Sequence, residues 1–238
     1  MVFQTSVTDF DLNGFTIING IYCDAEIENI NSIINNAPTN KDTFRKTQDL
    51  FAIRQFIKEV PQVAEVVFND KLKQLIAGLF GKGYFVSKSI YFDKPAQSNW
   101  FVAYHQDLTI SVDNKIELSG FGPWTVKQNQ FAVQPPIKIL QDNFTIRIHL
   151  DEANEDNGAL RVIPGSNLKG VYRAETINWN TETETTCCVK KGGVMLMRPL
   201  LLHASGKTVN NKPRRVIHIE FSKAELPDGI AWSEKFEY

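Results

Sequence analysis

The sequence predicts a mainly β fold with flanking helices (α+β), in which helices pack on an antiparallel barrel or sandwich of strands. Helical periodicity is confined to residues 1–82, whereas residues 83–223 divide into short runs of β-branched and aromatic residues separated by Gly, Pro, Asn and Asp. Helices followed by many short strands are typical of this class. A length of 238 residues permits one domain of this kind, and we expect residues 1–238 to form it.

Residues 1–82 are predicted to be a mostly helical flank. After a short strand-like piece, GFTII, Asp24 is placed to cap a first helix. The buried stripe of that helix is predicted to be Ile27, Ile30 and Ile34. A second helix is predicted to run from a cap at Asn69 or Asp70 to Gly81. Its apolar residues recur at helical spacing and are Leu72, Leu75, Ile76, Leu79 and Phe80.

Residues 83–223 are predicted to be the β core. Its strand-like runs are YFVSKSIYF, WFVAYH, FTIRIHL, ALRVI, GGVMLM and RRVIHIEF. Residues 111–143 form an insertion that is long for a connection between strands, and connections of this length are often lids or binding segments. We therefore expect the insertion, with its Trp124, to close over the opening of a site.

The overall composition limits the classes of partner. A hydrophobic content of 42% with 22% charged residues is ordinary for a globular protein. The formal net charge is −1 and there is no long basic run, which argues against nucleic acid and anionic membrane as partners. No leader-like or membrane-spanning apolar run is present, so we expect a cytoplasmic protein. The three cysteines lack the spacing of a zinc site and are predicted to be reduced thiols.

The stretch WFVAYHQDLT is the first candidate for chemistry. Side chains two positions apart on a strand share a face, so His105 and Asp107 can reach one metal ion together. His203, in RPLLLHASGK, is the natural third ligand from a distant strand. Two histidines and one carboxylate leave coordination positions open, which is the arrangement of non-haem Fe(II) oxygenases.

An arginine is predicted to lie near this metal. The turn-rich KTVNNKP allows the next strand, RRVIHIEF, to return antiparallel beside His203. The planar fork of arginine suits a carboxylate such as the distal end of 2-oxoglutarate. Arg214 and Arg215 point to opposite faces, and the apolar residues of the strand are in phase with Arg215. An inward apolar face would make Arg215 the anchor, whereas an outer apolar face covered by helices favours Arg214.

The order and spacing of these segments resemble the phytanoyl-CoA dioxygenase family of Fe(II)/2-oxoglutarate oxygenases. The resemblance extends over nearly the whole chain, and its main segments are NGFTIINGIYCDAEI, WFVAYHQDL, TIRIHLDEANEDNGALRVIPGSN and GGVMLMRPLLLHASGKTVNNKPRRVIHIEF. It implies a double-stranded β-helix (jelly-roll, cupin-like) core and iron held by His105, Asp107 and His203. It also implies 2-oxoglutarate held by Arg214, eleven positions after the last histidine, with help from Ser205 and Tyr91.

The activity implied by the resemblance is hydroxylation of a small organic molecule with Fe(II), 2-oxoglutarate and O2, releasing succinate and CO2. A non-catalytic jelly-roll binding protein and a metal-dependent cupin enzyme that does not use 2-oxoglutarate remain alternatives. Arg147 and His149 share a face of FTIRIHL. Together with Trp124 they are candidate contacts to an anionic substrate. The competing interpretations are a salt-bridged strand arginine and a tryptophan that only anchors its loop.

Overall fold

The computed structural model of the chain describes residues 10–38, 43–48, 51–96, 98–127 and 130–238. Residues 10–13 are helical, and the α-helices that follow are α1 (Asp24–Asn35), α2 (Phe56–Glu59), α3 (Ala64–Val67), α4 (Asp70–Phe80) and α5 (Ile137–Asp142). The first eight strands are β1 (Phe15–Ile18), β2 (Phe44–Lys46), β3 (Phe51–Arg54), β4 (Phe85–Lys94), β5 (Val102–His105), β6 (Ile110–Val112), β7 (Trp124–Lys127) and β8 (Gln130–Val133). The remaining strands are β9 (Phe144–His149), β10 (Leu160–Val162), β11 (Thr185–Cys187), β12 (Val194–Met197), β13 (His203–Ser205) and β14 (Arg214–Ser222).

The two predicted long helices are present, and their apolar stripes pack against the core, although Leu79 and Phe80 of α4 are only partly buried. Helix α1 begins one residue earlier than expected. Cys23, with an extended backbone, is the N-cap, and Asp24 is the first helical residue. The Glu26 carboxylate accepts a hydrogen bond from the Cys23 backbone N–H at 2.7 Å, which satisfies a free donor at the helix start. Helix α4 is capped as predicted, by the Asn69 side chain, and ends at Gly81 with φ of 79°.

A seven-stranded antiparallel sheet, in the order β1-β12-β9-β14-β4-β3-β2, forms the larger layer of the core. Three of its strands come from residues 1–82, so the expectation of a mostly helical flank was incomplete. The β2–β3 hairpin lies at the edge of the sheet, where β3 pairs with β4 from Phe51 to Arg54. Its short, partly charged strands lack the apolar alternation that would have revealed them.

A four-stranded sheet, in the order β11-β10-β13-β5, forms the opposing layer. Two facing antiparallel sheets with flanking helices confirm the predicted double-stranded β-helix. The main hydrophobic core lies between the larger sheet and the helices, where Ile217, Ile219 and Phe221 of β14 are buried. The apolar face of β14 is therefore the outer one, and the alternate residues face the interior of the barrel.

The insertion at residues 111–143 is folded rather than an open loop. It contributes a three-stranded sheet, β6-β8-β7, followed by α5. These elements have their own apolar cluster, which includes Ile110, Val133 and Leu140, and Trp124 packs against it. Trp124 is thus part of the apolar packing of the insertion. Among the residues that the structure describes, no helix combines the length and apolarity needed to cross a membrane.

Candidate metal centre and cosubstrate cavity

The three predicted metal ligands lie close together on the inner side of the four-stranded sheet. His105 on β5 and His203 on β13 are direct cross-strand partners, and their ring centroids lie 4.2 Å apart. Nε2 of His105 lies 4.0 Å from Oδ1 of Asp107, and Nε2 of His203 lies 3.8 Å from Oδ2. One potential ligand atom from each residue lies within 4.8 Å of the others, so one ion could contact all three.

Asp107 follows the end of β5 and is held in place by its backbone. Its N–H donates to the carbonyl oxygen of Pro199 at 2.9 Å. The neighbouring Gln106 side chain points the other way and donates to the carbonyl oxygens of Leu200 at 2.5 Å and Gly170 at 2.9 Å. These contacts fix the carboxylate of residue 107 beside the segment that leads to His203.

Backbone carbonyl groups orient both histidine rings for metal binding. Nδ1 of His105 lies 2.8 Å from the oxygen of Ala103, and Nδ1 of His203 lies 2.9 Å from the oxygen of Leu201. A carbonyl oxygen can only accept, so each Nδ1 must carry the proton. The lone pair of each ring is then on Nε2, the atom that faces Asp107. A hydrogen bond from Nδ1–H to a backbone carbonyl is common in histidines that bind a metal through Nε2.

The electrostatics of the three residues favour a bound cation. Burial lowers the pKa of His203 to about 4, which leaves its imidazole neutral at neutral pH. Burial raises the pKa of Asp107, but the nearby His203, His218 and Lys88 outweigh this and hold it below its usual range. Oδ2 of Asp107 is buried with no hydrogen-bond partner among the described residues. A buried carboxylate oxygen without a donor fits a metal ligand, and two imidazoles with one carboxylate suit Fe(II).

A buried ionic network lies beside the metal ligands, on β4, β9 and β14. Nζ of Lys88 lies 2.7 Å from the carboxylate of Glu220, whose Oε1 lies 3.2 Å from Nε2 of His218. The guanidinium of Arg147 lies 3.0 Å from the other ring nitrogen of His218. Glu220 and the metal-facing Asp107 are acidic, so Lys88 and Arg147 balance two carboxylates in the barrel interior.

A cavity of about 210 Å³ opens beside the metal ligands. Arg214 and Ser205 both line it, and Arg147 and His218 form part of its wall. Nε of the buried Arg214 donates to the carbonyl oxygen of Asn157 at 3.2 Å. Burial and the neighbouring Arg147 lower the pKa of Arg214 to about 9, so it is cationic at neutral pH. No carboxylate of the described residues forms an ion pair with it.

The two candidate arginines are separated by the faces of β14. Arg215 points away from the cavity and forms a two-pronged ion pair with Asp151, at 2.7 and 2.8 Å. Its charge is therefore already matched on the outer side of the sheet. Arg214 is the arginine that the structure brings into the cavity with the metal ligands, as the outer apolar face of β14 requires.

Tyr91 requires a correction, because it faces the helices rather than the cavity. Its ring is buried in the main hydrophobic core and stacks on Phe56, with centroids 5.6 Å apart. The expectation that Tyr91 contacts 2-oxoglutarate therefore does not agree with its position. On the same strand, the residues that line the cavity are one position away on either side, Ile90 and Phe92.

Two of the three expected substrate contacts also lie outside the cavity lining. His149 is buried and does not line the cavity, and neither ring nitrogen has a hydrogen-bond partner among the described residues. Burial lowers its pKa well below the ordinary value, so it is neutral. Trp124 belongs to the apolar cluster of the insertion. Only Arg147 of these three reaches the cavity.

Several cavity residues were not identified from the sequence. Lys88 lines the cavity and is paired with the buried Glu220, and the ring centroids of Phe92 and Trp100 on the cavity wall lie 6.2 Å apart. Alternation was the available signal, since Lys88, Ile90 and Phe92 share one face of β4, and Glu220 shares the face of Arg214 on β14.

Comparison with known proteins identifies the family. The family model described as Phytanoyl-CoA dioxygenase (PhyH) matches residues 10–216. The chain belongs to the phytanoyl-CoA dioxygenase family. The resemblance seen in the sequence motifs is thereby confirmed. A search of curated proteins finds no match.

Solved structures with the same fold support the double-stranded β-helix. The chain is similar to the non-heme alpha ketoglutarate dependent carbocyclase SnoK from nogalamycin biosynthesis, with a TM-score of 0.71 and 13% identity over 99% of this chain and 93% of that one. The non-heme alpha ketoglutarate dependent epimerase SnoN from the same biosynthesis has a TM-score of 0.70 and 14% identity, over 97% of this chain and 87% of that one. EctD from S. alaskensis, solved with 2-oxoglutarate and 5-hydroxyectoine, has a TM-score of 0.70 and 19% identity, over 92% of this chain and 75% of that one. At these identities the likeness shows the fold.

Proposed function

We propose that the protein is an Fe(II)/2-oxoglutarate-dependent dioxygenase that hydroxylates a small organic molecule and releases succinate and CO2. The observation that carries the proposal is the joint position of His105, Asp107, His203 and Arg214. Three side chains that could hold a metal ion line a single cavity with the buried Arg214, which has no carboxylate partner among the described residues. Membership of the phytanoyl-CoA dioxygenase family points to the same chemistry.

The proposed roles follow from the atoms that each side chain presents. Nε2 of His105, Nε2 of His203 and a carboxylate oxygen of Asp107 would hold the iron. The guanidinium of Arg214 would bind the distal carboxylate of 2-oxoglutarate, and the Ser205 hydroxyl would donate to the same group. Iron, 2-oxoglutarate and O2 together supply the oxidising chemistry, in which the 2-oxo acid is decarboxylated to succinate.

The surrounding residues would keep this chemistry away from water. The aromatic rings of Phe92 and Trp100, with Leu160, give the cavity an apolar wall. The ionic network of Lys88, Glu220 and His218 adds fixed charges that need no reorganisation during the reaction. Apart from Trp100, these groups are on strands, which are rigid supports for a reactive site.

Arg214 favours this activity over the two alternatives. A cupin enzyme that does not use 2-oxoglutarate, or a jelly-roll binding protein, has no need for a buried arginine without an acidic partner. Burying a cation without a counter-ion is costly, so its position is best explained by an anion that binds in the cavity.

The test is release of succinate from 2-oxoglutarate by the Fe(II)-loaded protein in air, in parallel with His203→Ala. We expect slow turnover by the wild type, which a screen of small organic molecules should accelerate, and none by the variant. A wild type that binds Fe(II) but neither binds nor consumes 2-oxoglutarate would support one of the two alternatives. Hydroxylated product identified by mass spectrometry would establish the hydroxylase over other outcomes of the same chemistry.

A further inference from the structure

A second cavity, of about 400 Å³, lies beside the metal cavity at the edge of β4. Strand β3 pairs with β4 only as far as Ile90, and the chain then turns into α2. The part of β4 that precedes Ile90 is therefore not paired with β3. The space is bounded by Arg54, Gln55 and Lys58 on one side and by Gln130 and other residues of the inserted sheet on the other.

The two cavities share part of their walls. Lys88 and Ile90 line both of them. Lys88 is close enough to interact electrostatically with Asp107 at the metal centre and with Arg54 in the second cavity. A molecule seated in the second cavity could therefore extend past Lys88 and Ile90 towards the metal ligands.

The second cavity has an excess of unmatched positive charge. Arg54 is partly buried, and its guanidinium contacts only the side-chain oxygen of Gln130, at 3.4 Å, among the described residues. Lys58 is exposed at the rim and forms no ion pair with a described residue. Burial and the nearby Arg45 lower the pKa of Arg54, as expected for a cation without a counter-ion.

The acidic residues of this cavity are occupied elsewhere. The Glu234 carboxylate accepts hydrogen bonds from the backbone N–H of Ser89, at 2.7 Å, and from its hydroxyl. The Asp113 carboxylate accepts from the N–H of Ala231 at 2.8 Å. Neither forms an ion pair with Arg54 or Lys58. These two cations are therefore available to a ligand.

The backbone between the two cations is strained in a way that is typical of functional sites. Gln55 has φ of 52°, and it is the one residue other than glycine with positive φ in the described part of the chain. This left-handed conformation costs of the order of 1 kcal/mol or more for a residue with a Cβ. It turns the chain sharply between Arg54 and Lys58 and keeps both on the same cavity.

We propose that the second cavity binds an oxyanion group, such as a carboxylate or a sulfate, of the prime substrate through Arg54 and Lys58. This inference rests on the proposed function, because it assumes that the substrate reacts at the metal centre. The substrate is then a small organic anion whose charged end lies near Arg54 and whose reacting carbon lies beyond Lys88 and Ile90. Arg147 lines the metal cavity, where one of its terminal nitrogens is bonded to His218, and it stays a candidate substrate contact there.

The experiment is a calorimetric titration with sulfate of protein loaded with Mn(II) and saturating 2-oxoglutarate, so that Arg214 is already occupied. We expect saturable sulfate binding to the wild type. Loss of one charge-assisted pair in Arg54→Gln should raise the dissociation constant about tenfold. Lys58→Gln, at the exposed rim, should raise it by a smaller factor. The matched controls Arg173→Gln and Lys138→Gln, both exposed elsewhere, should leave it unchanged.

Acetate and its neutral counterpart acetamide separate charge from size. Acetate should compete with sulfate and acetamide should not. Absence of saturable sulfate binding to the wild type would overturn the inference. So would dissociation constants of Arg54→Gln and Lys58→Gln that both equal that of the wild type. The sulfate titration measures binding and does not depend on turnover. A protein that binds sulfate through Arg54 but never consumes 2-oxoglutarate would contradict the proposed function alone.

Discussion

Replacement of Arg214 by glutamine is the sharpest test of the cosubstrate site. The guanidinium is buried, and Nε is used by the carbonyl oxygen of Asn157 at 3.2 Å, which leaves the two terminal nitrogens to bind a carboxylate. A hydrogen bond to a charged group contributes about 1.5 to 3 kcal/mol. Loss of both from a shielded cavity should weaken 2-oxoglutarate binding by about 3 kcal/mol, which corresponds to roughly a 100-fold higher dissociation constant.

The adjacent Arg215 provides a matched control for this measurement. It has the same side chain on the same strand, but it is paired with Asp151 on the outer face of the sheet. Anaerobic titration of the Fe(II)-loaded protein with 2-oxoglutarate should therefore show little change for Arg215→Gln. Thermal unfolding of both variants checks that each is folded. The reverse ranking would transfer the role to Arg215, and equal affinities of Arg214→Gln and wild type would refute the assignment of the cavity.

Three further predictions concern the metal, coupling and pH. Alanine in place of His105, Asp107 or His203 should abolish stoichiometric Fe(II) binding, measured by metal analysis, while the protein stays folded. Arg147→Ala, which removes a cavity wall bonded to His218, should lower the ratio of hydroxylated product to succinate; an unchanged ratio would exclude this role. Burial raises the pKa of Glu234 from 4.5 to about 7, so the folded state binds more protons than the unfolded chain in that range. Measured as the difference from Glu234→Gln, the stability of the wild type should therefore fall as pH rises from about 4.5 to about 7, by on the order of 3 kcal/mol, and a difference that does not change with pH would contradict this.

Local patterns in the sequence were sufficient to predict the main elements and to select three residues that the fold brings together, His105, Asp107 and His203. The predicted apolar stripes of α1 and α4 face the core, with Leu79 and Phe80 only partly buried, and the side chains of His105 and Asp107 lie close together. The β2–β3 hairpin could not be predicted, because its short strands are stabilised by pairing with β4 rather than by their own alternation. The position of Trp124 depends on the three-stranded sheet of the insertion, which the length of the segment did not reveal.

The choice between Arg214 and Arg215 shows why the site needs the whole fold. Alternation divides β14 into two sets but does not say which set faces inward. The helices cover the side of Ile217 and Ile219, so the polar set with His218 becomes the inner one. The same rule moves Tyr91 of β4 from the cavity into the core, opposite its cross-strand partner Ile217.

Stability and chemistry are therefore specified together on the two central strands of the larger sheet. Each outward residue of β4 and β14 that packs under the helices fixes the direction of an inward neighbour in the cavity. A shift of one residue in their pairing would bury His218 under the helices and place Ile217 beside the metal ligands. The polar inner face is thus maintained by the apolar outer face. The Lys88–Glu220 pair, which joins the two strands at 2.7 Å, adds an electrostatic penalty against the same shift.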